Sequence, residues 1–141
     1  MMAFPAVDHL LGSDGAVVTC LKAHVPGLLG VWAFGSVING TARPGSDLDL
    51  AVLVGGYASP LLLWDTTAAL AQLLHLPVDL LDLRLASTVM QYQVVTNGRC
   101  LWGQQPDADQ FELFVLAEKL AFDAARAGLL ADIKKTGKIY G

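Results

Sequence analysis

The sequence predicts a single small α/β (α+β) domain, 1–141, in which a mixed sheet is flanked by helices and a long C-terminal helix follows. The length of 141 residues is usual for one domain. Short apolar runs with β-branched and aromatic residues alternate with longer helical patterns, which favours a mixed class. The residues after Pro106 predict one long terminal helix.

The first half of the chain predicts two helices and two strands. We expect Ser13 to cap the first helix and Pro26-Gly27 to end it. The segment GVWAF (30–34) predicts strand one, and DLDLAVLV (47–54), stopped by Gly55-Gly56, predicts strand two. Ser59 followed by Pro60 starts the next helix, which we expect to run to about residue 75. The first helix places four apolar residues on one face: Val17, Val18, Leu21 and Val25.

The second half predicts a third strand, a short helix, an edge strand and the terminal helix. PVDLLDL (77–83) is strand three, Ser87 opens a helix that ends near 97–98, and RCLW (99–102) is a short edge strand. The terminal helix covers about 107–133 and is followed by a tail, 134–141. Two of its sides are apolar, one with Phe111, Val115, Phe122 and Leu129, the other with Leu113, Leu116, Leu120 and Ala124. We expect one side to pack on the domain, and the other side and the tail to dock a partner or a second copy.

Composition excludes several classes of protein. The net charge of −4 leaves no electrostatic footprint for DNA or RNA. No apolar run is long enough to span a membrane, and the N-terminus does not resemble a secretory signal. The two cysteines, Cys20 and Cys100, form no metal-binding pattern, so we expect reduced core thiols in a cytoplasmic protein.

Two aspartates at the start of strand two are the first candidate functional residues. Side chains alternate along a strand, so Asp47 and Asp49 share one face while Leu48 and Leu50 point to the other. Adjacent carboxylates repel each other, and a divalent cation such as Mg²⁺ relieves that repulsion. Taken alone, Asp-x-Asp is more typical of a solvated strand edge or a turn cap than of a metal site.

A glycine–serine pair at the end of strand one strengthens the functional interpretation. Gly35 allows a close backbone approach to a phosphate, and backbone N–H groups beside the Ser36 hydroxyl suit an anion. Gly35-Ser36, ten residues, and Asp47-Leu48-Asp49 together resemble the signature of the DNA polymerase beta-like nucleotidyltransferases. The segment GSVINGTARPGSDLDLAVLV is most similar to the minimal nucleotidyltransferases (MNT proteins) of bacteria and archaea, and the similarity covers nearly the whole chain.

This resemblance implies a nucleotidyltransferase fold and a set of site residues. Asp47 and Asp49 would hold two Mg²⁺ ions, and Gly35 and Ser36 would hold the triphosphate of ATP, with Arg43 and Ser46 assigned to the same nucleotide site. Arg43 is equally compatible with a solvated turn charge. Asn39 departs from the family pattern, because relatives often carry Arg there.

The family also uses a third acid from a neighbouring strand. Asp79 and Asp82 are the candidates, and their three-residue spacing points them to opposite faces, so only one can join the site. Asp79 matches the family position better, and Asp82 would then pair with Arg84 or cap the next turn. The register of strand three decides between them.

The resemblance further implies an antitoxin that transfers AMP from ATP to a tyrosine of a HEPN-domain ribonuclease toxin. One alternative is a non-catalytic antitoxin that neutralises its partner by binding it. Another is a small-molecule adenylyltransferase, which the absence of a second, substrate-binding domain in the sequence disfavours. We expect no direct nucleic-acid or membrane partner.

Overall fold

The computed structural model describes residues 10–43 and 45–136, and side chains as far as Lys134. The tail beyond residue 136 lies outside the described residues. Within them the helices are α1 (Ala16–His24), α2 (Ser36–Asn39), α3 (Pro60–Leu74), α4 (Thr88–Asn97) and α5 (Asp107–Thr136). The strands are β1 (Leu28–Phe34), β2 (Leu48–Val54), β3 (Val78–Asp82) and β4 (Arg99–Gly103), and a 3₁₀ turn covers Leu83–Leu85.

The four strands form one mixed sheet in the order β3-β2-β1-β4. β1 pairs antiparallel with both β2 and β4, whereas β2 pairs parallel with β3 through the crossover helix α3. The predicted mixed sheet and the edge position of β4 are therefore confirmed. β2 lies in the interior of the sheet, where both of its neighbours fix its register.

Helices cover both faces of the sheet. On the first face, α1 and α3 bury a cluster that includes Leu21, Leu50 and Leu70. On the second face, α4 and α5 bury a cluster that includes Trp32 and Val115. Apolar surface is thus removed from water on both sides of β2, which is the main stabilising contribution in such a layered domain.

Two of the three predicted helix caps are confirmed. The Ser59 hydroxyl accepts a hydrogen bond from Leu62 N at 3.4 Å, and the Ser87 hydroxyl accepts one from Met90 N at 3.1 Å. The expectation for Ser13 is wrong, because Gly15 is the N-terminal cap of α1. Gly15 N donates to Gly12 O at 2.9 Å, so a turn occupies the residues in which a Ser13-capped helix would have begun.

The terminal helix is longer than expected and reaches Thr136. Phe111 and Val115 are buried against the sheet, as expected for one apolar side of this helix. Phe122 and Leu129 on the same side are instead 53% and 61% exposed, because the helix continues past the end of the domain. Although α5 is long, no helix among the described residues is apolar enough over a sufficient length to cross a bilayer.

The cysteines depart from the expectation of core thiols. Cys20 is half-buried and Cys100 is exposed, and both are free. Cys100 lies on β4, the edge strand of the sheet that the described residues form. Burial raises the pKa of the Cys20 thiol. Partial burial, and then the charge of Glu112, raise the pKa of Cys100, so both thiols favour the protonated form.

Candidate active site

The two aspartates of the Asp-x-Asp segment lie at the point where β2 begins. Asp49 is the second residue of the strand and Asp47 immediately precedes it. Leu48 and Leu50 are buried on the opposite face at 1% and 0% exposure, which fixes the strand against rotation. Asp47 is exposed and Asp49 is half-buried, so the pair leads from solvent into the edge of the core.

Asp79 is the register partner of Asp49. β2 and β3 run parallel, and Asp49 lies opposite Asp79 in the ladder. Neighbouring strands are about 4.8 Å apart and register partners point to the same face. Asp47, Asp49 and Asp79 therefore lie together at one end of one sheet face. Asp79 is exposed there.

Asp82, the alternative third acid, lies elsewhere and has its own hydrogen bonds. It is opposite Val52, three residues farther along the strand, and is 5% exposed. Its Oδ2 accepts from Ala58 N at 2.8 Å and its Oδ1 accepts from Arg84 N at 3.1 Å. Asp82 thus caps the 3₁₀ turn and ties it to the start of α3, as expected if Asp79 faces the other two acids.

The carboxylates influence one another electrostatically. Burial raises the pKa of Asp49, and the charges of Asp79 and then Asp47 raise it further. Ionisation of Asp49 is therefore disfavoured both by lost hydration and by repulsion from its two acidic neighbours. A bound cation would reverse the sign of the second effect.

Gly35 packs directly against the carboxylate of Asp49. Its φ of +82° and ψ of −161° fall in a region that side chains with a Cβ rarely adopt. A Cβ at this position would collide with Asp49 Oδ2. Phe34, the residue before Gly35, is the register partner of Asp49, so the Gly35-Ser36 turn sits at the same end of the sheet as the acids.

The remaining predicted nucleotide-site residues lie in the connection between α2 and β2. Ser46 Oγ accepts from Arg43 N at 2.8 Å, and Ser46 N donates to Arg43 O at 2.9 Å. This closed turn directly precedes Asp47 and fixes the entry to β2. Arg43 and Asn39 are exposed, and Ser46 and Ser36 are half-buried.

The donor set suits a hard divalent cation in its chemistry. Carboxylate oxygens are the ligands that Mg²⁺ prefers, and the raised pKa of Asp49 marks a site at which positive charge is favourable. Across residues 10–43 and 45–136, no three His, Cys, Asp or Glu side chains already form a group spaced to hold a metal. Asp47 and Asp79 are exposed, so their side chains are free of the core packing that would prevent rotation toward a shared ion.

A shallow groove elsewhere in the molecule is separate from these acids. Arg84, Asp107, Gln110, Phe111 and Phe114 line it. Arg84 follows the carboxyl end of β3, whereas Asp79 lies near its amino end. The groove therefore belongs to the opposite end of the sheet.

One contact near the site could not be predicted from the sequence. Trp32 is 1% exposed, and its indole Nε1 donates to Glu112 Oε1 of α5 at 3.1 Å. The two residues are far apart in sequence, so no local pattern could have paired them. The apolar stripe of α5 was the only available signal that this helix crosses the sheet.

Comparison with known proteins shows similarity to nucleotidyltransferases. The family model described as "Polymerase beta, Nucleotidyltransferase" matches residues 18–107. The chain is 35% identical over 121 residues to the protein adenylyltransferase MntA of Shewanella oneidensis, which covers 86% of this chain and 87% of that protein. A crystal structure of a toxin–antitoxin with AMP-PNP aligns with a TM-score of 0.72 at 36% identity, over 84% of this chain and 95% of the other. A structure of the tri-AMPylated S. oneidensis HEPN toxin in complex with an MNT antitoxin aligns at 0.66 and 33% identity, over 84% and 92%.

Proposed function

Because this chain belongs to the polymerase beta nucleotidyltransferase family, we propose that it transfers AMP from ATP to a tyrosine of a cognate HEPN-domain ribonuclease and thereby inactivates that toxin in the cytoplasm. The observation that carries the proposal is the alignment of Asp49 with Asp79 beside Gly35. That arrangement places a carboxylate cluster against a turn suited to phosphate.

The reaction is a displacement at the α-phosphorus of ATP. The tyrosine oxygen forms a bond to that phosphorus, the bond from the phosphorus to the bridging oxygen breaks, and pyrophosphate leaves. Two Mg²⁺ ions, held by Asp47, Asp49 and Asp79, would neutralise the charge that develops on the attacking and leaving oxygens. No covalent intermediate on the protein is needed.

The three acids have different tasks because their environments differ. Asp47 and Asp49 are adjacent on one strand face and would both hold the metal pair. Asp79 is exposed on the neighbouring strand, where its carboxylate can accept the proton of the incoming hydroxyl. The low hydration of Asp49 strengthens each charge interaction there.

Residues of the two loops would hold and orient the triphosphate. Gly35 and Ser36 offer backbone N–H groups and a hydroxyl at the end of β1. The exposed Arg43 offers a cation on the adjoining turn, which its hydrogen bonds with Ser46 hold in place. Positioning and charge neutralisation are then the contribution of the protein to catalysis.

The relatives support a protein as the acceptor. The S. oneidensis relative is named as a protein adenylyltransferase, and the tri-AMPylated toxin in the second structure carries AMP groups. This chain spans 87% of the S. oneidensis adenylyltransferase and 92% of the chain that it matches in that complex, so it has the same domain available. Its formal net charge of −4 also disfavours a polynucleotide acceptor.

The direct test is a mass measurement. The chain is mixed with ATP, Mg²⁺ and a candidate HEPN-domain partner protein, and the products are weighed and mapped by peptide sequencing. We expect the HEPN protein to gain AMP on a tyrosine. A tight complex without any gain would instead support neutralisation by binding, and a gain only on added aminoglycosides or other small molecules would support the third candidate.

A further inference from the structure

The direction of α5 relative to the sheet can be read from its contacts. Its first turn packs at Ala108 against Gly103, which pairs with Gly30 near the start of β1. Farther along, Glu112 accepts the hydrogen bond from Trp32, in the middle of that strand. The helix therefore runs from the far end of the sheet toward Phe34, the strand end that leads into the Gly35-Ser36 turn.

About two-thirds of α5 extends past this end of the sheet. From Trp32 to Phe34 the strand advances about 7 Å, which a helix covers in about five residues. The helix is thus level with the acids near residue 117, and its remaining turns extend about 28 Å farther. Every side chain from 120 to 131 is exposed.

The extended part of α5 keeps the apolar stripe that the part packed on the sheet buries. Phe122 follows Val115 by seven residues and Leu129 follows Phe122 by seven, so all three lie on one helix face. Val115 is 0% exposed against the sheet, whereas Phe122 and Leu129 are 53% and 61% exposed. Since the face is the same, these two side chains point into the space beyond the acid-bearing end of the second sheet face.

We propose that the Phe122–Leu129 stripe is the docking surface for the protein acceptor, and that it sets the acceptor's hydroxyl over Asp47, Asp49 and Asp79. The inference rests on the proposed function, because it identifies where that function's partner binds. The occupant is an apolar, helix-packing surface of the acceptor protein. A second copy of this chain seated on the stripe would fill the same space and exclude the acceptor from the acids.

The test compares two double variants with matched chemistry. Phe122→Asp with Leu129→Asp places charges on the stripe. Leu61→Asp with Trp64→Asp is the control, since both residues are exposed, at 70% and 76%, on α3, which covers the opposite sheet face. Circular dichroism melts of both variants should match the wild type, because none of the four side chains is buried.

The measurements are complex formation with the HEPN-domain partner by calorimetry, kcat and KM for AMP transfer, and binding of an ATP analogue. We expect the stripe variant to weaken the complex at least about tenfold and raise KM for the HEPN protein. Its ATP-analogue affinity and its kcat at saturating acceptor should stay at the wild-type values. The α3 control should match the wild type throughout.

Two outcomes would overturn the docking surface. One is a stripe variant that binds and modifies the HEPN protein as well as the wild type. The other is a wild-type chain that sediments as a dimer, becomes a monomer on stripe substitution, and keeps its partner affinity. Failure of the proposed function gives a different result. The wild type would then bind the HEPN protein more tightly than the stripe variant does, but neither would transfer AMP.

Discussion

Asp49 and Asp79 face each other across the parallel β2–β3 ladder, while Asp82 on the same strand is directed to backbone amides. This separation assigns opposite roles to two acids that are three residues apart. One belongs to the charged end of the sheet, and the other belongs to the framework that holds β3 and α3 together.

Asp79→Asn and Asp82→Asn should therefore have opposite effects. Asp79→Asn should lower the AMP-transfer rate by about 10²-fold or more, with little change in stability, because its side chain is exposed. Asp82→Asn should lower the free energy of unfolding by about 1–3 kcal/mol, because it weakens the buried hydrogen bond from Ala58 N and the partly buried one from Arg84 N. Urea unfolding and single-turnover transfer measure the two effects, and a stable, inactive Asp82→Asn would contradict this division.

Replacing both residues of the Asp-x-Asp segment should abolish transfer without unfolding the chain. Asp47→Asn with Asp49→Asn removes the charges that would hold both Mg²⁺ ions, so we expect at least about a 10³-fold loss of rate. Asp65→Asn, at an exposed position on α3, is the control and should keep full activity. A double variant that still labels its acceptor from ATP would show that the metal assignment is wrong.

The pH dependence of stability should reveal the strained charge of Asp49. Burial and its acidic neighbours raise the folded-state pKa of Asp49, so the folded protein binds this proton more tightly than the unfolded chain. The stabilisation of the folded state by this proton is complete at low pH. It is lost as the pH rises from the ordinary aspartate range through the raised folded-state pKa. Asp49→Asn should consequently raise the melting temperature of the metal-free protein at neutral pH, and thermal melts from pH 3 to pH 8 measure the effect. A lower melting temperature at neutral pH would contradict it.

Mg²⁺ should stabilise the wild type more than the Asp47→Asn, Asp49→Asn variant. An ion that binds only the folded state adds about 1.4 kcal/mol at ten times its dissociation constant. Thermal melts with and without MgCl2 give this difference directly, and NaCl at the same ionic strength as the MgCl2 is the control for charge screening. An equal shift in both proteins would place the ion elsewhere.

Gly35→Ala should damage the site more than an alanine at a second glycine with positive φ. Its Cβ would strike the Asp49 carboxylate, so we expect about 1–3 kcal/mol of destabilisation together with loss of ATP-analogue binding. Gly40, at φ +77°, is the control because a Cβ there meets nothing within 4 Å. Chemical unfolding and ligand titration of both variants separate backbone strain from the clash. Equal losses in the two would argue against a special contact at Gly35.

Local patterns were enough to predict the elements that their own residues specify. Ser59-Pro60 and Ser87 are capping residues whose effect is confined to one turn, and both helices begin where expected. Ser13 has the same chemistry, yet the turn that joins Gly12 to Gly15 takes its place. Competition between two local structures of similar free energy is not visible in a sequence pattern.

Properties that depend on strand register were harder to predict. The three-residue spacing of Asp79 and Asp82 showed that one of them must leave the site, but the pairing with β2 decides which one. The exposure of the later turns of α5 could not be predicted from the sequence either. The apolar period that buries Val115 continues to Leu129 although the sheet beneath it has ended.

The hydrogen bond from Trp32 to Glu112 makes the fluorescence of Trp32 a reporter of how α5 packs on the sheet. Trp32 is enclosed between the sheet and α5, whereas Trp64 is 76% exposed and accessible to iodide. Quenching Trp64 leaves the emission of Trp32 and of the half-buried Trp102, and replacing Trp102 by Phe leaves Trp32, whose emission wavelength depends on whether α5 is packed on its strands. Detachment of that helix during unfolding can therefore be followed as a red shift, without attaching any dye.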